Sequence, residues 1–574
     1  MSEACLPALL LLSAAAPPAA PPPAPRPAAD TVLHNAAVYT VDAARSWAQA
    51  VAIREGRIVY VGGEAGVRAF VGPRTKRVDL GGRMVLPGFV DAHIHPVSSG
   101  VEINRCDLSD LPTAEAILAK VRDCAHRQAG PWVVGTGWSL PAFPNGAPTK
   151  EALDAAVPER PAFFSAADGH SGWVNSKALA LAGITRTTPD PRNGRIERAP
   201  ATGEPAGTLS EAATGLVEAI IPAPSLDECL VGLKHALELA NRNGLTGLQE
   251  ANAGEGPAGG GAIALAAYRE AERRGELTAH VTVSLGTDPR RGAEQVDDLV
   301  KRRLEFTSRL VRPIVAKIFA DGVIETRMAA MLEPYLDRGT ERGELIWSEA
   351  AMNALVLRLA REDFNVHVHA IGDRAVRITL DAMEAARKLA NLRPPRFEIA
   401  HLEVIHPDDL PRFRRLDVIA NFQPLWAFAD SYITELTIPA LGPERSRWLY
   451  PIGSLARSGA VLAFGSDWSV SSLNPLEGIQ VALTRQGPAG EAAPPLLPGE
   501  AIDLPTALAA YTIGAAQAID GEREMGSVEV GKLANLVVLS DNLFELESTR
   551  IAKARVVLTL FEGRPVFKDG SLGF

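Results

Sequence analysis

The stretch LPGFVDAHIHP places His93 and His95 two residues apart at the end of an apolar run. Alternate residues of a β-strand point to the same face, so both imidazoles can reach one metal ion. Taken alone, the pair reads more readily as two polar residues at an exposed strand end. Four further groups shift that balance. Lys317 stands in IVAKIFADG, His369 in VHVHAIGD, His401 in EIAHLEV and Asp467 in LAFGSDW, each near the C-terminal end of a separate apolar run. Imidazole and carboxylate are donors that divalent metals accept, and a lysine inside an apolar strand must be neutralised or paired.

Bringing these residues together requires parallel strands ending on one rim. The runs GLTGLQEA, AHVTVSLG, IVAKIFADG, FNVHVHAIGD, RFEIAHLEV, DVIANFQP and AVLAFGSDW, with Val85–His95, make eight. Amphipathic stretches such as Ser225–Asn243, Ser348–Asp363 and Asp373–Leu389 lie between them. The pattern predicts an α/β fold, a TIM-type (β/α)8 barrel, whose C-terminal face carries the chemistry. His367 and His369 alternate with valines and so both face the interior. His369, nearer the rim, is expected as the ligand and His367 as a layer residue beneath it, with the reverse assignment open.

The segment from about residue 100 to 240 is longer than a single crossover helix requires. It predicts an inserted subdomain at about 105–225, placed over the barrel mouth. Short alternating runs at both ends, TVLHNAAVYTV and AVAIREGRIVYVGG near the start and KLANLVVLS and ARVVLTLFEGRPVF near the end, supply too few strands separately to bury a face. The expectation is a composite β-sandwich from 30–84 and 520–574 around a barrel at 85–519.

The 574 residues are too many for a small binding module, and 47% hydrophobic with 22% charged residues excludes disorder over most of the chain. Lys and Arg number 58 against 68 Asp and Glu, a formal charge of −10 that disfavours nucleic acid or anionic membrane as partners. Residues 1–29 read as a leader or an Ala/Pro-rich tail: LPALLLL resembles a signal core, but no Lys or Arg precedes it. The chain is expected to be exported or periplasmic if that leader functions and cytoplasmic if it does not. No segment reads as a membrane span. The four cysteines form no CxxC pair; a Cys106–Cys124 bridge goes with export, and unpaired buried thiols are the expected state otherwise.

Taken together, LPGFVDAHIHP, DGHSGWVNSKAL, KIFADG, HAIGDRAV, IAHLEV and GSDWSVSSLNPLEGI resemble the metal-dependent amidohydrolase superfamily, and within it the YtcJ-like branch (amidohydrolase family 3) that includes N-substituted formamide deformylase. The resemblance runs from about Asp30 to the C-terminus. It implies one ion held by His93, His95 and Asp467 and a second by His369 and His401. Lys317, carboxylated to a carbamate, would bridge a binuclear centre, whereas an unmodified Lys317 goes with a single ion. Zinc is the first choice, with manganese, iron and cobalt open. A divalent ion lowers the pKa of its water from 15.7 to about 7. The implied reaction is hydrolysis of a C–N bond in a small molecule, an amide, N-substituted formamide or N-acyl compound, with metal-bound hydroxide as the attacking group and Asp467 shuttling the proton.

His170 is the expected substrate contact, and Trp138, Trp173 and Trp468 are expected to wall the pocket; an insert-core cluster is the competing reading for His170 and the first two tryptophans. Glu325 and Thr326 stand where many relatives carry Gly and Ser, which bears on substrate. Asp321 and Asp373 would either orient ligands or cap loops and helices. The alternatives are a deaminase or cyclic-amide ring-opening hydrolase and, from a different class, a non-catalytic ligand-binding barrel. A homo-oligomer stays open.

Overall fold

Eight short runs dominated by Val, Ile, Ala and Phe form the central sheet: β1 (Phe89–Ile94), β2 (Leu245–Glu250), β3 (His280–Gly286), β4 (Val311–Phe319), β5 (Asn365–Ala370), β6 (Phe397–His401), β7 (Val418–Phe422) and β8 (Leu462–Phe464). The structure is a computed structural model that describes Met1 and residues 27–254, 261–389, 395–490 and 493–573. Residues 2–26, with the leader-like run, lie outside the described residues.

Each strand pairs in parallel with the next in sequence. The parallel sheet curls until β8 faces β1. Just past β8, Asp467 N donates to His93 O at 2.7 Å, and from β7 the Asn421 amide reaches across to Ala92 O at 2.9 Å. This approach requires glycine at 465, where a Cβ would lie 2.5 Å from the His93 backbone nitrogen. The result is a nearly closed TIM-type barrel.

The connecting helices carry their own start signals. Ser225 and Glu228 form a reciprocal capping box at the head of the helix Leu226–Arg242, which buries Leu233, Ala236, Leu237 and Ala240 against the barrel. That helix crosses Pro96–Arg105 where Gly100 meets Gly232; a Cβ at Gly100 would lie 2.3 Å from the Gly232 carbonyl oxygen. Among the described residues no helix is long and apolar enough to cross a membrane.

Between β1 and β2 the chain makes a separate five-stranded sheet in the spatial order Gly194–Arg198, Pro205–Glu211, Ser171–Val174, Ala162–Ala166, Val133–Trp138. Cys106, just past its helix, lies 5.8 Å from Cys124 between Cα atoms, and the two are disulfide-bonded. The expectation of unpaired thiols is corrected for this pair. Cys124 sits on the inner face of the helix Ala114–Arg127, which packs onto the segment that Cys106 begins. Cys229 is free and buried.

A six-stranded sheet draws Ala37–Tyr39, Trp47–Ala48 and Met84–Pro87 from one end of the chain and Leu536–Leu539, Val556–Phe561 and Arg564–Lys568 from the other. Leu536–Leu539 pairs with Met84–Pro87, so the two ends share one ladder. A four-stranded sheet of Thr31–His34, Ala50–Arg54, Arg57–Gly62 and Lys76–Asp79 stacks on it. Leu33, Val51, Val78, Val85, Val538 and Leu558 fill the space between.

Candidate metal centre

The strand ends place their polar groups as the register dictates. Lys317 pairs with His367 and Phe319 with His369 between β4 and β5, while Ala370 pairs with His401 between β5 and β6. Neighbours in register on parallel strands point to the same side, which carries Lys317 with His367 into the barrel; His401, in register with Ala370 rather than His369, reaches the same side through its left-handed backbone at the end of β6. At the rim, the His95 Nε2 lies 3.2 Å and the His93 Nε2 3.6 Å from Asp467 Oδ1. Donor atoms of His93, His95 and Asp467 lie within 4.8 Å of one another, close enough to share an ion. The His401 ring is 4.7 Å from that of His93 and 4.5 Å from that of His369. His401 and Asp467 both sit at positive φ, 76° and 53°, a conformation that costs side-chain residues energy and collects at functional sites.

Electrostatics sort these groups into two sets. Burial holds His93, His369 and His401 well below the usual imidazole range, and the Lys317 ammonium adds to this for all three. They are neutral, as metal ligation requires. Burial also opposes charge on His95, but Asp467 and Glu250 overcome it and lift His95 to about 9. The Asp467 carboxyl falls below its ordinary value because contact with His95 outweighs its own burial. Burial lowers Lys317 to about 8, and among the described residues it has no ion-pair partner. Its Nζ lies 4.8 Å over the Phe319 ring.

The residues fit a divalent ion. His369 Nε2 is buried with no hydrogen-bond partner, 3.8 Å from Asp321 Oδ1. His401 uses Nδ1 on Gln423 Oε1 at 2.9 Å, which leaves its Nε2 for another partner, and its ring stacks on Trp426. Several groups that hold these ligands escaped the sequence reading. Glu250, at the end of β2, lies 3.5 Å from His95 Nδ1 and accepts from the Tyr268 hydroxyl at 2.8 Å. Asp91 accepts from His93 N and Ser466 N and so ties β1 to the loop after β8. Both carboxylates lie within or at the end of barrel strands, the signal that exposed Lys317.

A cavity of about 420 Å³ opens from this rim, lined by His369, His401 and Asp467 and by His170 and Glu325. The His170 Nδ1 lies 2.8 Å from Glu211 Oε2; burial disfavours its charge, yet Glu211 raises it to about 9. Glu325 accepts from the Thr437 hydroxyl at 2.6 Å. Trp138 and Trp173 are corrected: both are fully buried in the core of the insert, their indole N–H groups donating to Phe164 O and Thr149 O. Trp468 is corrected too. Its side chain packs in the main core, and its carbonyl accepts from His95 N. Asp321 faces His369 while its oxygens accept backbone N–H from Ile371, Gly372 and Ala330. Asp373 accepts from Leu332 N at 2.8 Å at the start of its helix and fastens a loop.

Residues 76–567 match the amidohydrolase family. The chain belongs to that family. It is 31% identical to an N-substituted formamide deformylase of Arthrobacter pascens, over 93% of this chain and 97% of the relative. It is 28% identical to the putative amidohydrolase YtcJ of Bacillus subtilis, over 94% and 99%. Among solved structures, an uncharacterized metal-dependent hydrolase from Pyrococcus furiosus superposes with a TM-score of 0.69 at 26% identity, covering 89% of this amidohydrolase and 99% of that chain. The likeness to YtcJ and to the deformylase agrees with the branch that its motifs indicated.

Proposed function

We propose that this amidohydrolase cleaves a C–N bond of amide, N-substituted formamide or N-acyl type in a small molecule. The observation that carries this reading is the convergence of His93, His95 and Asp467 on one point at the barrel mouth, beside the neutral imidazoles of His369 and His401. His93, His95 and Asp467 would hold one divalent ion, zinc by donor type, and His369 and His401 a second. Lys317 would join the two as a carbamate. That modification turns a buried cation, without an ion-pair partner among the described residues, into an anionic two-oxygen ligand. When bound, such an ion acidifies water and polarises a carbonyl.

The remaining work falls to the chain's own groups. Asp467 faces both histidines and the cavity. It is placed to accept a proton from the attacking water at a carboxylate oxygen and to return it to the leaving nitrogen. Glu250 holds His95, and Gln423 with Trp426 holds His401, so the ligands are oriented before substrate arrives. The insert contributes His170, whose charge, maintained by Glu211, can donate a hydrogen bond to an oxygen that gains negative charge.

The test is elemental analysis of protein purified without added metal, joined to intact mass near neutral pH and hydrolysis assays on formamide and anilide substrates. Two metal equivalents, a carbamate mass on Lys317 and cleavage of a test amide are expected. One equivalent with release of ammonia from an amino-substituted ring would favour a deaminase. Failure to bind metal after reconstitution would overturn the hydrolytic reading. Lys317→Ala is expected to lower bound metal, with partial rescue by short carboxylates, and undiminished metal content would remove its bridging role.

A further inference from the structure

The cavity beyond the metal-side residues has an unusual lining. Five carboxylates face it, from Asp110, Asp168, Glu325, Glu403 and Asp430, and among the described residues no Lys or Arg lines it. Two of these acids present oxygens with nothing to bind. Glu403 is 5% exposed and its Oε2 has no hydrogen-bond partner, and Asp168 Oδ2 is likewise buried and unpartnered. Burial raises Asp168 and Asp430 to about 6; Glu325 adds to both shifts, while His170 acts the other way on Asp168. His170, the cation on this wall, is already committed to Glu211.

Buried acceptors without donors are costly unless a ligand satisfies them. A metal ion is the wrong occupant. Among the described residues, the group tight enough to hold an ion is His93, His95 and Asp467, and the five acids are too dispersed to act as one ligand set. An organic cation suits dispersed acceptors better. Its charge is spread over several N–H donors, and aromatic faces can pack on its body. Such faces are present: Trp426, Phe428, Tyr432 and Tyr450 line the same cavity.

We infer that this part of the cavity is a cation subsite, and that the preferred substrates carry a protonated amine or guanidinium several bonds from the amide. The inference rests on the amidase reading for the position of the amide, on Glu325, Asp168 and Asp430 for the charge, and on the unpartnered Oε2 of Glu403 as an acceptor. Glu325 is the discriminating residue. Its charge acts on Asp168, Glu403 and Asp430, and its carboxylate accepts from the Thr437 hydroxyl.

The experiment uses the metal-loaded enzyme and matched probes. Equilibrium binding is measured for two non-hydrolysable sulfonamides, N-(4-aminobutyl)methanesulfonamide and N-pentylmethanesulfonamide, which differ in an ammonium against a methyl terminus. Hydrolysis is measured in parallel for the two corresponding acetamides. The cationic sulfonamide is expected to bind about tenfold tighter. Glu325→Gln is expected to bring that ratio close to one, and Asp430→Asn, outside the hydrogen bond to Thr437, to reduce it in part. Equal or tighter binding of the neutral probe, or no detectable binding of the cationic one, overturns the subsite. A preference that survives both substitutions overturns its location. Selective binding with neither acetamide cleaved would leave the subsite standing and count against amide hydrolysis, whereas cleavage of both without any binding preference would do the opposite.

Discussion

The His367 Nε2 lies 2.9 Å from the His93 Nδ1, one layer below the mouth. The other nitrogen of His367 faces Glu398 Oε1 at 2.7 Å. Gln249 Nε2 also reaches that nitrogen, at 2.6 Å, and donates to Glu398 as well. A carboxylate accepts only, so where His367 donates to Glu398 its proton sits on Nδ1 and its Nε2 is a lone pair. That lone pair accepts the Nδ1 proton of His93 and leaves the His93 Nε2 lone pair directed at Asp467 and the site. In that tautomer Glu398 and Gln249 orient His93 through His367, although neither Glu398 nor His367 lines the cavity.

Replacing His367 by Phe is therefore expected to weaken metal binding about 10- to 100-fold while the far-ultraviolet circular dichroism stays native. Glu398→Gln should act in the same direction more mildly, since an amide oxygen can still accept from Nδ1. Titration with a competing chelator reads the affinity. Unchanged affinity in the His367 variant would show that the tautomer of His93 is held by other means.

Asp467→Asn keeps shape and removes the carboxylate charge. It is expected to lower kcat by about 10²- to 10⁴-fold, in the range of a lost general acid–base group, with a smaller loss of bound metal. Steady-state kinetics on protein of known metal content separates the two effects. Near-normal turnover would remove Asp467 from proton transfer.

The sequence exposes the ligand strands because a parallel barrel strand is apolar along its length, so one polar residue near its end stands out, as with Lys317 and His401. The same logic reached the eight strands and the gap between the first two. It did not reach Glu250, Asp91 or Glu398, each of which has at least one partner from a segment distant in sequence, His95, Ser466 and His367 respectively, that only the fold brings close. Trp138, Trp173 and Trp468 misled for a related reason. A large aromatic near a site motif suits a pocket wall and a local core equally, and only packing separates them. The acids of the outer cavity come from segments as far apart as Asp110 and Asp430, and no local pattern joins them.

The Cys106–Cys124 bridge closes a loop of sequence separation 18 in the insert. A cross-link over a loop of this size is worth about 3 kcal/mol through the unfolded chain. Cys106→Ser with Cys124→Ser is expected to lower the stability of the insert by that order and leave the barrel's protection intact. Hydrogen exchange resolved by segment measures it. Equal loss of protection in the insert and the barrel would mean that they unfold as one unit.

His280 begins β3, at the barrel end opposite the metal site, its ring 4.9 Å from that of Phe561. Burial lowers it to about 4 from its ordinary 6.5, and the charges of Arg309 and Arg312 add to the effect. Glu562 lies 3.5 Å from its Nε2 and would favour the protonated ring, but that carboxylate is already engaged by Arg309. The unfolded chain therefore binds this proton at higher pH than the native one. The sign follows: the contribution of a neutral His280 is complete above about pH 6.5 and is lost as pH falls through 6.5 toward 4. His280→Gln, which does not titrate, is expected to lose about 2 kcal/mol less than the wild type between neutral pH and pH 4.5. Urea unfolding of both proteins across that range checks it, and parallel curves would show that His280 is protonated equally in the native and unfolded states.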